Sequence, residues 1–93
     1  MITSYQRGYL KELELVKRLK QSKRFHTVLR SAGSRSPFDI VALSKSKIFL
    51  IQVKTGKGRY KKEIRKLKRL KVPSCARKQF WVYDRDWKLL FED

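Results

Sequence analysis

Apolar residues recur at three- and four-residue spacing from Ser4 to Gln21, and this predicts a first helix. Tyr9, Leu10, Leu13 and Val16 mark its apolar face, and Thr3 or Ser4 is placed to cap its start. On a helical wheel at ~100° per residue, Glu12 falls at one border of that face and Glu14 at the other. Periodicity alone does not choose between them. The pattern then shortens. Phe25 to Arg30 is a strand candidate, and Ser31 to Pro37, with glycine, serines and proline in seven residues, is a loop. Asp39 to Leu43 is a second strand, Ser44 to Lys47 a tight polar turn, and Ile48 to Lys54 a third strand. The near-continuous apolar run of that third strand predicts a central position covered on both faces.

After the basic loop Thr55 to Arg59, Tyr60 to Lys71 reads as a second helix with a narrow apolar stripe of Ile64, Leu67 and Leu70. Pro73 and Ser74 close it, and Gln79 to Tyr83 and Trp87 to Phe91 form a last pair of strands around Asp84-Arg85-Asp86. The order is helix, three strands, helix, two strands. A mixed α/β domain is expected.

The chain has 93 residues, enough for one core. Twenty-five Lys and Arg against eight Asp and Glu give a net charge of +17. Such an excess repels itself in a compact state, and a polyanion relieves it. The second helix sharpens the point, since Glu63 is its one acid. A solvated face would mix signs, so nucleic-acid contact is the expectation there. Cys75 is the single cysteine and His26 the single histidine, so no intramolecular disulfide and no zinc site is expected. No run approaches the roughly 18 apolar residues that span a bilayer, and the expectation is a soluble, cytoplasmic chain without a membrane partner.

Three polar side chains stand out against apolar strands. Gln52 and Lys54 are two apart and share a face of the third strand, while Val53 points to the other. Asp39 opens the neighbouring strand. Two oxygen ligands and a lysine converging at a sheet edge can hold a hard divalent cation and an attacking water. On a chain this basic, the anion to meet that cation is nucleic-acid phosphate. Lys57, Arg59, Lys61, Lys62, Arg65 and Arg69 are placed to hold flanking phosphates, which positions a duplex without reading its bases. A basic RNA-binding protein is the rival class, and it leaves Glu12, Asp39, Gln52 and Lys54 without a role.

These residues resemble the PD-(D/E)XK nuclease superfamily, most closely the archaeal Holliday junction resolvases. The resemblance rests on Gly8 four residues before Glu12, on Arg30-Ser31-Ala32-Gly33-Ser34, on Asp39-Ile40-Val41-Ala42 and on Ile51-Gln52-Val53-Lys54. It implies a restriction-endonuclease-like domain, a mixed sheet of about five strands flanked by two helices, and a structure-selective DNA endonuclease leaving a 5′-phosphate. It also implies a catalytic set of Glu12, Asp39, Gln52 and Lys54, with Ser34 touching phosphate. Asp39, Gln52, Glu12 and the Val53 carbonyl would hold Mg²⁺, or Mn²⁺ in its place. Arg30, Arg35 and Ser36 would approach the DNA backbone. Two symmetric cuts in a four-way junction need two sites and hence a homodimer; Phe80, Trp81, Tyr83, Trp87 and Phe91, more than one face of a small sheet hides, are either core or the surface of that dimer. Two departures stand out: Pro37 is one residue further from Asp39 than usual, and Gln52 replaces the usual acid. A neutral amide binds Mg²⁺ without charge attraction, so a silent DNA-binding module and a nicking or flap endonuclease are the alternatives.

Overall fold

A computed structural model describes residues 3–31 and 36–93. Helix α1 runs Ser4–Gln21, the predicted span. It begins there because Thr3 and Gln6 form a capping box. The Gln6 N–H donates to Thr3 Oγ1 at 3.1 Å, and the Thr3 N–H donates to Gln6 Oε1 at 3.0 Å.

Of the predicted apolar face of α1, Val16 alone is buried, together with Leu15 and Leu19, whereas Tyr9, Leu10 and Leu13 stay exposed. At helical spacing the inward stripe continues toward the N-terminus through Glu12 and Gly8, both half-buried. Counting apolar residues alone therefore rotates the face away from its polar members.

Strands β1 (Thr27–Arg30), β2 (Ile40–Leu43), β3 (Ile48–Thr55), β4 (Ala76–Asp84) and β5 (Asp86–Glu92) form one sheet in sequence order. The pairs β1–β2, β2–β3 and β4–β5 are antiparallel, and β3–β4 is parallel. A parallel pair needs a crossover, which helix α2 (Lys61–Arg69) supplies. β3 is central, as its sequence predicts. Phe49, Ile51 and Val53 alternate into a core with Leu15, Val16 and Leu19 of α1 and Val28, Ile40 and Ala42 of β1 and β2. On the other face Leu67 of α2 packs on Phe80 and Val82, with Phe38, Tyr60, Ile64 and Phe91 around them. The chain is a restriction-endonuclease-like α/β domain. Among the described residues no helix is long and apolar enough to cross a membrane.

Of the two readings open for the aromatic residues of the last strands, the packing bears out the core. Phe80 and Trp87 are buried, Trp81 and Tyr83 pack against the α1-side core, and Phe91 packs beneath α2. Trp81 and Tyr83 meet Trp87 edge to face at centroid distances of 6.4 Å and 5.2 Å. The exposed apolar residues of β5 are Leu89 and Leu90. Leu90 is the extra residue of a bulge, because Phe80 pairs with Phe91 and Trp81 with Leu89.

β4 also begins at Ala76, earlier than Gln79. The reason is Lys78, which is buried. Its ammonium donates to the carbonyls of Leu67, Lys68 and Leu70 at 2.9, 3.0 and 2.9 Å. These carbonyls lie at the C-terminus of α2, where intrahelical donors run out; Leu67 also accepts from the Leu70 N–H at 3.2 Å, and a lysine in the sheet supplies the rest of that helix's cap.

Candidate active site

The antiparallel pairing brings Arg30 at the end of β1, Asp39 just before β2 and Gln52 to Lys54 near the end of β3 to the same end of the sheet. Asp39 is the kink that makes this end distinctive. Its N–H donates to the Ile51 carbonyl and its carbonyl accepts from the Ser31 N–H, both at 2.8 Å. In a regular ladder both groups of a residue face one neighbour; here they face two. The turn aims the side chain along the sheet, and Oδ2 accepts from the Val53 N–H at 2.8 Å. A carboxylate oxygen thus takes the place of a ladder carbonyl, and β2 proper starts one residue later than predicted. Since N–H and C=O of a strand residue point to one side, the Val53 carbonyl also faces the side on which Asp39 lies.

Glu12 descends from α1 to this end. Arg30 Nε donates to Glu12 Oε1 at 3.0 Å, with both side chains about four-fifths buried. The Arg30 guanidinium also lies 4.3 Å over the Tyr9 ring. Arg30, expected among the DNA-facing cations, is therefore engaged within the chain. Its alternation with buried Val28 along β1 is the sequence signal for that inward direction. Glu14 is elsewhere. It accepts from Trp87 Nε1 at 3.2 Å and pairs with Lys11 at 3.0 Å.

Burial raises the Glu12 carboxyl above its ordinary range, and the negative charge of Asp39 raises it further against Arg30 and Lys54. Burial also raises Asp39, opposed by the Val53 N–H, Lys54 and Arg30. Each of these acids responds to Lys54 and Arg30, and Glu12 responds to Asp39 as well. The four side chains form one electrostatic group.

Gln52 lies half-buried beside this group on β3, and no described residue hydrogen-bonds its amide. Lys54 is exposed. Ser34 and Arg35 lie outside the described residues. Ser36 is exposed, and its Oγ accepts from the Phe38 N–H at 3.1 Å.

Lys57, Arg59, Lys61, Lys62, Arg65 and Arg69 are all exposed, and among the described residues none of the six forms an ion pair. Tyr60 fixes the loop that carries the first two. Its hydroxyl donates to the carbonyls of Thr55 and Gly56 at 3.1 and 2.8 Å, and its ring rests on Phe80 at 5.7 Å.

Among the described residues no three His, Cys, Asp or Glu side chains gather as a metal cluster. The donor set is instead two carboxylates with neutral oxygens beside them, which suits a hard cation such as Mg²⁺ or Mn²⁺. Two half-buried acids, both raised in pKa, are the arrangement that a cation relieves. In this sense the residues fit the group.

The class of molecule is set by the fold and by this acid–lysine end: a nuclease-like α/β domain. The sequence model described as Archaeal Holliday junction resolvase (hjc) matches residues 3–79, and the chain belongs to that family, within the PD-(D/E)XK nuclease superfamily. It is a Holliday junction resolvase-like nuclease by family. No curated protein matches the chain.

Proposed function

We propose that this chain is a Mg²⁺-dependent, structure-selective DNA endonuclease that resolves four-way junctions as a homodimer. The observation that carries the reading is that two half-buried carboxylates from distant segments meet at one end of the sheet, Glu12 held by Arg30 and Asp39 by the Val53 N–H, on the strand that carries Lys54. Asp39, Glu12, the Gln52 amide oxygen and the Val53 carbonyl would hold the cation. When bound, Mg²⁺ or Mn²⁺ supplies Lewis acidity toward a phosphate oxygen.

The chain's own residues do the rest. The Val53 N–H fixes the Asp39 carboxylate so that no reorganisation is needed when substrate arrives. Arg30 holds Glu12 in place and balances its charge. Lys54, exposed at the strand end, donates to the phosphate and offsets charge as it develops there. The cations of α2 and its preceding loop grip flanking phosphates, so binding should weaken steeply with salt. Ser34, Arg35 and Ser36 precede Asp39 and would meet the backbone near the cut.

The test is incubation of labelled four-way junction, duplex, flap and RNA with Mg²⁺, Mn²⁺ or EDTA. Metal-dependent cutting of the junction, lost in Asp39→Ala and Lys54→Ala, is the expected result. Tight junction binding without cutting under any metal would replace this reading by a silent DNA-binding module, for which the uncharged Gln52 is the argument.

A further inference from the structure

A cavity and a strained arginine meet at the Asp39 end of the sheet, and the proposed reaction uses neither. Past Lys54, the chain turns at Gly56, whose N–H donates to the Tyr83 carbonyl at 2.9 Å. Between this turn, the first turns of α1 and the β4–β5 connection lies a cavity of about 340 Å³. Arg7, Lys11 and Arg85 line it against one acid, Asp84.

Lys11 is fixed at its wall, 3.6 Å over the Tyr83 ring and 3.0 Å from Glu14. Arg7 and Arg85 form no ion pair among the described residues. Arg85 is the tip of the hairpin, between the directly paired Asp84 and Asp86, with φ of 68°. That left-handed conformation suits glycine or asparagine. An arginine held there, with its backbone strained, points to a use for its charge.

We propose that this notch seats a backbone phosphate of the DNA strand next to the one engaged at Asp39 and Lys54. The inference rests on the nuclease reading and adds three residues to it. Lys54 and Gly56 are two positions apart on an extended chain, so about 7 Å separates them. A strand advances ~3.4 Å along the duplex axis per nucleotide, so a phosphate one or two steps from the cut falls in the notch. The ligand class is a phosphodiester anion because Arg7 and Arg85, with Lys11 beside them, line the notch against the single acid Asp84, on a chain whose net charge is +17.

The test compares Arg85→Gly with Lys23→Gly, measuring affinity for a labelled junction in EDTA over a range of salt. Lys23 also has a left-handed backbone, φ 62°, and lies at the other end of the sheet, between α1 and β1. Each change removes one charge and relieves one strained residue, so both variants should fold at least as readily as the parent.

The expected result is several-fold weaker binding for Arg85→Gly, with the slope of log K against log salt reduced by about 0.9, the share of one phosphate contact. Lys23→Gly should leave the slope unchanged. Equal effects of the two variants would mean bulk charge and would overturn the notch, as would an unchanged slope in Arg85→Gly. Cleavage by the parent chain is scored separately with Mg²⁺. Intact cleavage with an unchanged Arg85→Gly slope removes only the notch, whereas absent cleavage with a reduced slope removes only the nuclease reading.

Discussion

Oδ2 of Asp39 accepts a hydrogen bond from the Val53 N–H at 2.8 Å, although Asp39 lies one residue outside β2. A side chain here completes the edge of a sheet that the main chain leaves open. The carboxylate is thereby oriented by the strand that carries Gln52 and Lys54, and the position of the acid relative to the lysine is set by backbone geometry and not by two flexible side chains.

Replacing Asp39 by Asn should stabilise the metal-free chain at neutral pH. Both Asp39 and Glu12 have raised pKa values, first because burial disfavours their charged forms. The folded state therefore binds protons more tightly than the unfolded one, and stability falls as pH rises from the ordinary carboxylate range through the raised values. Asn keeps an acceptor for the Val53 N–H and removes the charge. Thermal melts in EDTA should show Asp39→Asn above the parent at pH 7, with the gap closing near pH 4. A variant that melts several degrees lower at pH 7 would show that the charge is not a burden.

Arg30→Ala should destabilise the fold by about 1.5–3 kcal/mol, the range for a lost hydrogen bond between charged groups. Glu12 would then face Asp39 with only Lys54 opposing. In a domain of this size 1 kcal/mol moves the melting temperature by roughly 4–8 °C. Arg30→Lys should recover only part of it, because Lys lacks the planar guanidinium that lies over Tyr9. Full recovery by Lys would reduce the contact to charge alone.

Gln52→Glu places a third carboxylate beside Asp39 and Glu12. Metal-free stability should fall, and the Mg²⁺ concentration for half-maximal cleavage should drop several-fold, since a charged oxygen attracts the cation where an amide does not. Titrating cleavage against Mg²⁺ decides it. Total loss of cutting would mean that the amide has a role of its own.

Lys78→Met would remove the ammonium from three carbonyls at the end of α2, of which, among the described residues, Leu67 alone keeps a backbone donor, the Leu70 N–H. About 2–3 kcal/mol of stability should be lost, and hydrogen exchange should quicken in α2 before it does in β3. Because α2 carries Lys61, Lys62, Arg65 and Arg69, junction affinity should fall with it. Exchange that quickens uniformly through the domain would contradict a local capping role.

Much of this architecture is legible in the residues, and the failures cluster where chemistry interrupts pattern. The span of α1 follows from its cap and periodicity, yet its inward face was displaced because Glu12 and Gly8 occupy positions that a purely structural helix would fill with apolar groups. β3 is plain from its apolar run. β4 is foreshortened in the sequence because buried Lys78 reads as a solvent residue until its three carbonyl partners are known. The choice of Glu12 over Glu14 is beyond periodicity, since both border the apparent face. In the fold Glu12 meets Arg30 beside Asp39, whereas Glu14 meets Trp87. Trp81, Tyr83 and Trp87 read as more aromatics than a sheet face hides because their edge-to-face contacts, and the core under α1 that they join, arise only in three dimensions.

Whether Asp39 holds the cation is decided by Mn²⁺ binding to the parent chain and to Asp39→Asn, followed by the loss of the free-ion paramagnetic resonance signal. Saturable binding by the parent should weaken at least tenfold in the variant, whose fold is preserved. Equal binding by both chains would contradict that role, because the cation would then be held somewhere other than beside Asp39.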